Sequence, residues 1–166
     1  MRFIKQNLFV LGLGFGLIFF SCKKESKSQV KPIKIEFRKD GDLSVFDTQS
    51  DSLLVSFSIE IADDEYERQR GLMDRPSMKE DNAMLFIFPE SDLRSFYMKS
   101  TFIPLDIIYI GSNNTIVSFQ KNAKPLDESS LPSNAMAKYV LEINGGLADR
   151  YNIKTGDSIS YTRIKN

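Results

Sequence analysis

The sequence predicts an α+β, β-rich domain: a small closed or half-closed barrel-like sheet of seven to eight strands capped by two short helices. Three observations lead to it. Short apolar runs recur along the chain, either alternating with polar residues or apolar on both faces. Clusters of Gly, Asp, Asn and Pro separate them, as turns require. Helix signals are confined to two segments, 63–71 and 145–151, too few to build a helical layer of their own.

Taken in order, residues 33–37 alternate Ile33, Ile35 and Phe37 with Lys34 and Glu36, the signature of a half-buried strand. Asp40-Gly41-Asp42 makes a turn, and residues 43–46 are the expected hairpin partner, outside the main core and dispensable for folding. Residues 53–61 form a strand with Val55, Phe57, Ile59 and Ile61 on one face and Ser56, Ser58 and Glu60 on the other. A helix begins at Asp63 or Asp64, acidic at its start and basic at Arg68 and Arg70, with Gly71 as its C-cap. After a loop to Asn82, residues 83–88 read as a strand covered on both sides, ended by Pro89. The stretch 94–106 follows, with Phe96 and Met98 facing one way and Tyr97 and Lys99 the other, and Pro104 breaks it. Residues 105–110 resume as a two-sided apolar strand, and 115–120 return from the turn at 111–114. Residues 121–134, with Pro125 and Pro132, read as a long polar loop. Residues 139–143 form a strand, 145–151 a short helix, and 158–163 the closing strand after Thr155-Gly156-Asp157.

Composition excludes several chemistries. The precursor has 22 Lys+Arg and 22 Asp+Glu, so no broad basic field argues for nucleic acid. Histidine is absent, which removes His-based triads, His general bases and His metal ligands. The single cysteine rules out an internal disulfide and a Cys-rich zinc site. No metal or cofactor is expected.

That cysteine is part of an address. Arg2 and Lys5 give a positive start, and residues 8–20 form an apolar and glycine run. The run is short for a membrane span of roughly 20 residues and suits a signal h-region of about 7–15. Ser21-Cys22 then resembles a bacterial lipobox, apart from the large Phe20 before it. The expectation is a signal peptide over 1–21, cleavage before Cys22, lipidation of Cys22, and export to the bacterial cell envelope with the membrane as partner through the lipid. Removing residues 1–21 takes away Arg2 and Lys5 and no acid, leaving 20 basic against 22 acidic residues. Residues 22–50 read as a flexible tether with a marginal hairpin, and 51–166 as a single globular domain.

Five motifs in order then point to a family. They are Gly71-Leu72-Met73-x-Arg75, Met84-Leu85-Phe86-x-Phe88, Ser95-Phe96-Tyr97-Met98-Lys99-x-Thr101-x-Ile103-Pro104-Leu105-Asp106, Tyr139-Val140-Leu141-Glu142-x-Asn144-x-Gly146, and Gly156-Asp157. Together they resemble the domain-of-unknown-function 192 family over about residues 53–161. Tyr97 and Ser100 stand where that family often has Trp and Asn. The resemblance implies a compact β-rich domain, often behind a signal peptide, and no established activity.

The candidate site comes from charges that stand beside apolar neighbours. Asp106 shares a strand face with Ile108 and Ile110, and Glu142 shares one with Val140. A buried carboxylate is costly unless paired or hydrogen-bonded. Lys99 and Arg75 are the natural partners, so Arg75, Lys99, Asp106, Glu142 and Asn144 are expected to converge. Such a cluster either holds a ligand in a pocket or forms a salt-bridge network pinning the barrel, and the energetics of burial favour the network. Ser95 or Thr101 as nucleophile would need Lys99 as base, since no histidine exists. Asp106, Glu142 and Asn144 offer oxygen ligands in no standard metal-loop spacing. The Met and Phe residues of 73–102 read as core.

Three functions compete. The leading expectation is a lipid-anchored envelope domain, non-catalytic, that binds a small ligand or an envelope protein. The alternatives are a hydrolase or transferase using Asp106 and Glu142 as a carboxylate pair across a groove, and a purely structural envelope component.

Overall fold

A computed structural model of the chain describes residues 35–164. The expected signal segment, Cys22, the first part of the tether to residue 34 and the start of the 33–37 strand lie outside the described residues. No helix among the described residues is long and apolar enough to cross a membrane.

Seven strands form one mixed sheet: β1 (Gly41–Phe46), β2 (Leu53–Ala62), β3 (Asn82–Phe96), β4 (Leu105–Ile110), β5 (Ile116–Ala123), β6 (Leu131–Asn144) and β7 (Ser158–Arg163). Their spatial order is β5-β4-β6-β3-β2-β1-β7. Helix α1 (Glu65–Arg70) follows β2, and the four-residue α2 (Leu147–Arg150) follows β6. The sheet curls until its two edges approach each other. A bridge joins Thr115 to Ser158, and backbone amides of Ile116 and Ile159 donate to Asp157 and Asn114 at 2.8 and 2.9 Å. The result is a half-barrel.

Every neighbouring pair is antiparallel except β2 and β3. A parallel pair needs a crossover of a dozen or more residues, and residues 63–81, with α1 inside them, supply it. Asp64 caps α1 by accepting from the Glu67 amide at 2.7 Å. Gly71 ends it at φ 48°, a conformation that glycine adopts without steric penalty.

The inner strands are buried on both faces, and alternation sorts them into two cores. Leu85, Ile108, Ile110, Leu141 and Ile143 pack with Leu43, Val45, Phe57 and Ile59. Met84, Phe86, Ile107, Tyr109 and Val140 pack with Leu72, Met98 and Ile103 on the other side. The candidate site lies on this second face, beneath the crossover.

Several expectations change. Leu43 and Val45 are fully buried, and β1 pairs with both β2 and β7. It is an interior strand rather than half of a dispensable hairpin, and residues 35–40 carry no strand to pair with it. Pro89 does not end β3. The strand runs on through a register irregularity between Ile87 and Asp92, where a residue without an N–H is tolerated. The expected long loop shrinks to residues 124–130, because Pro132 lies inside β6 opposite Ser95. Residues 97–104 form a loop rather than a strand.

Candidate functional site

Cross-strand register assembles the site. Glu60 on β2 lies opposite Met84 on β3, Met84 opposite Glu142 on β6, and Glu142 opposite Ile107 on β4. Residues directly opposite share a face, so this row places two acids on the second face with one methionine between them. At the usual strand spacing their backbones are about 10 Å apart.

Arg75 comes down from the crossover onto Glu60. Its two terminal nitrogens reach the two carboxylate oxygens at 2.5 and 3.1 Å, a bidentate pair. The side chains are 12% and 5% exposed, so water screens the pair little. The Arg38 amide also donates to Glu60, at 2.5 Å. Arg75 Nε is buried without a hydrogen-bond partner among the described residues.

Glu142 is 5% exposed, and no hydrogen bond from the described residues acts on its carboxyl. Burial pushes its pKa up to about 8, against the opposing pull of the Arg75 guanidinium. Arg75 forms its bidentate pair with Glu60 and acts on Glu142 through charge alone, without a hydrogen bond to it. Behind Glu142, the Tyr109 hydroxyl donates to the Leu131 carbonyl at 2.5 Å. Burial first, and the nearby Glu142 second, hold that phenol above its ordinary value.

Glu142 lines a pocket of about 310 Å³. Phe86 and Phe88 of β3 line it with Glu142, and so do Phe96, Tyr97 and Thr101. Gly71, Leu72 and Met73 from the crossover and Arg68 and Arg70 of α1 complete the lining. A Cβ on Gly71 would sit 3.2 Å from the Phe86 ring, so glycine lets the backbone lie this low. Phe86 and Phe96 meet edge to face at 5.1 Å, and Arg68 stacks over Phe88 at 5.5 Å. The lining is mixed: Leu72, Met73, Phe86, Phe88 and Phe96 supply its apolar surface, Glu142 is a buried acid set among them, and Glu65, Arg68 and Arg70 come from α1.

The remaining expected site residues lie elsewhere. Asp106 is opposite Ile143 and therefore faces the first core, away from Glu142. It is fully buried and accepts the Asn122 and Ala148 amides, each at 2.8 Å. Those bonds tie β5 and the start of α2 to the start of β4. Asn144 donates to the Met78 and Lys79 carbonyls at 3.1 Å and holds the crossover down. Lys99 is exposed and makes no ion pair among the described residues. The five residues thus do not converge: Arg75 and Glu142 come together, Asp106 and Asn144 brace the frame, and Lys99 faces solvent. Asp106 and Glu142 project from opposite faces of the sheet, so they cannot flank one bond of a substrate. Ser95 shares a hydrogen bond with Ser130 at 2.8 Å, and Thr101 donates to the Lys99 carbonyl.

Glu60 was not among the expected site residues, because period 2 assigns it to the polar face of β2. A signal for it existed. The long segment after β2 implies a crossover covering that face, and Glu60 is the one charge within the apolar end of the strand.

The sequence profile of DUF192, described as "Uncharacterized ACR", matches residues 46–161. A UPF0127 protein from Thermococcus sibiricus is 31% identical over 108 residues, which span 62% of this chain and 65% of the relative. The match therefore leaves about a third of that relative uncovered. A crystal structure of a protein of unknown function from Novosphingobium aromaticivorans superposes with a TM-score of 0.68 at 37% identity, over 72% of this chain and 83% of that one. Another, from Sinorhizobium meliloti and described as a suggested transcription regulator, gives 0.71 at 32% identity, over 77% and 97%.

Proposed function

This chain belongs to the DUF192 family, and from that premise we propose that it is a lipid-anchored cell-envelope domain that binds a small, largely apolar ligand in the pocket beneath Gly71–Met73, without chemistry of its own. The observation that carries the reading is Glu142. A buried carboxyl left without a protein hydrogen bond is costly, and this one borders a pocket. A structural network would have satisfied it, as Glu60 and Asp106 are satisfied. The anchoring half of the reading rests on Cys22 and the run before it.

Two measurements test it. The protein isolated from its own envelope, examined by native mass spectrometry, should release a discrete small molecule on denaturation, and Glu142→Leu should lack it. Wild-type protein that carries no bound mass, and takes up none from an envelope extract, would sink the binding reading. Cys22→Ser should leave the membrane fraction or stall in processing; full retention with unchanged cleavage would remove the anchor.

A second reading has its own observation. Leu93 and Met136 face each other across β3 and β6 and are 65% and 53% exposed. An envelope protein docking there would cover them.

A further inference from the structure

We infer that the pocket takes an uncharged, mostly apolar small molecule carrying a carbonyl-type hydrogen-bond acceptor, with the Glu142 carboxyl as the donor that meets it; this rests on the pocket-binding reading above.

The charge balance along the row leads there. Glu60 already spends its charge on Arg75, through a bidentate pair and with the Arg38 amide added. One cation therefore stands against one anion before Glu142 is counted. Ionising Glu142 would leave a net negative charge among Met84, Phe86 and Val140, with only the more distant pull of Arg75, already paired with Glu60, to offset it. Desolvating such a charge is strongly unfavourable. The neutral acid is the resting form at pH 7, and burial holds its pKa near 8. A neutral carboxyl offers one O–H donor, and among the described residues no hydrogen bond takes that proton. The unfilled role inside the pocket is thus that of an acceptor.

The other groups around Glu142 agree. Along and behind the row stand Glu60, Arg75 and Tyr109; the Tyr109 proton is already donated to Leu131. The lining also holds Glu65, Arg68, Arg70 and Tyr97, with Arg70 paired to Asp74 at 3.3 Å. A cationic ligand seated against Glu142 would have to ionise it to gain a counter-charge there. The apolar body is set by Phe86, Phe88 and Phe96. The volume of about 310 Å³ lies at the small end of ligand pockets, which run from about 300 to 1,000 Å³.

Three probes of matched shape separate the alternatives: acetophenone, a neutral acceptor; isopropylbenzene, without an acceptor; and phenyltrimethylammonium, a fixed cation. Binding to the full chain in lipid nanodiscs is read by saturation-transfer NMR, with empty nanodiscs subtracted. Acetophenone should weaken about fivefold from pH 6 to pH 9.5, the worth of about one net hydrogen bond, while isopropylbenzene should not change. Glu142→Gln keeps a donor and should bind acetophenone at either pH with little difference. Glu142→Val should bind it about fivefold more weakly than wild type at pH 6. Acetophenone binding that ignores both pH and Glu142, or phenyltrimethylammonium binding more tightly than acetophenone, overturns the inference and leaves the pocket reading standing. If none of the three binds wild type at pH 6, both fall.

Discussion

Replacing Glu142 by Gln should change how stability depends on pH more than it changes stability at low pH. The folded state holds the Glu142 proton up to about pH 8, against an ordinary value of 4.5. Below 4.5 both folded and unfolded chains carry that proton, and the group contributes no pH dependence. Between 4.5 and about 8 only the folded chain carries it, so the folded state binds more protons and stability falls as pH rises. Above 8 both states are ionised and the loss levels off. Each tenfold difference in proton affinity is worth about 1.4 kcal/mol, so the full interval corresponds to roughly 3–5 kcal/mol of lost stability. The chain has no histidine, so little besides the amino terminus titrates inside this window and the background is nearly flat. The assay is urea unfolding of a soluble version starting at Lys23, at half-unit steps from pH 5.5 to 8.5. Wild type should lose most of that 3–5 kcal/mol across the range, whereas Glu142→Gln should stay nearly level. Parallel curves for the two proteins would refute the reasoning, because Glu142 would then be ionised in a site that stabilises its charge.

Other outcomes follow from the same geometry. Asp106→Ala should cost about 2–5 kcal/mol in urea unfolding, since it strands the buried Ala148 amide and the part-buried Asn122 amide at about 1–3 kcal/mol each; a loss below 1 kcal/mol would mean that water replaces the carboxylate. Arg75→Met should cost about 3–5 kcal/mol by leaving Glu60 buried and unpaired, and adding Glu60→Gln should recover part of it, which a double-mutant cycle measures. Deleting residues up to Thr48 should abolish the cooperative thermal transition, because it removes β1 from between β2 and β7; a sharp transition in that deletion would place β1 outside the core after all. Gly71→Ala should lower the melting temperature, through its positive φ and the close approach to Phe86.

The fold was largely legible because its determinants are local. Period-2 alternation marked β2, the turn at 155–157 marked the start of β7, and the two-sided apolar runs identified β3 and β4 as covered on both faces. Asp64 and Gly71 bounded α1 as their capping chemistry predicts. Errors fell where tertiary context overrides a local signal. Pro89 and Pro132 looked like strand ends, but irregular pairing absorbs them. Residues 43–46 looked like a marginal hairpin, but closure of the sheet buries Leu43 and Val45 between two partners.

The sequence by itself determined that Asp106 and Glu142 are charges set among apolar neighbours, and that each needs an explanation. It could not determine where they point relative to each other. A strand's own pattern gives the alternation of its faces, whereas which face meets which depends on register, a non-local property that one residue of slippage reverses. Pairing of Ile107 with Glu142 and of Asp106 with Ile143 sends one acid to each core. It leaves Asp106 to three-dimensional bracing by amides far along the chain, and brings Glu60 into line with Glu142. Arg75 then reaches Glu60 first, because the crossover that makes β2 and β3 parallel lays it over that strand. Glu142 is left as a buried acid without a counter-charge of its own, beside a pocket.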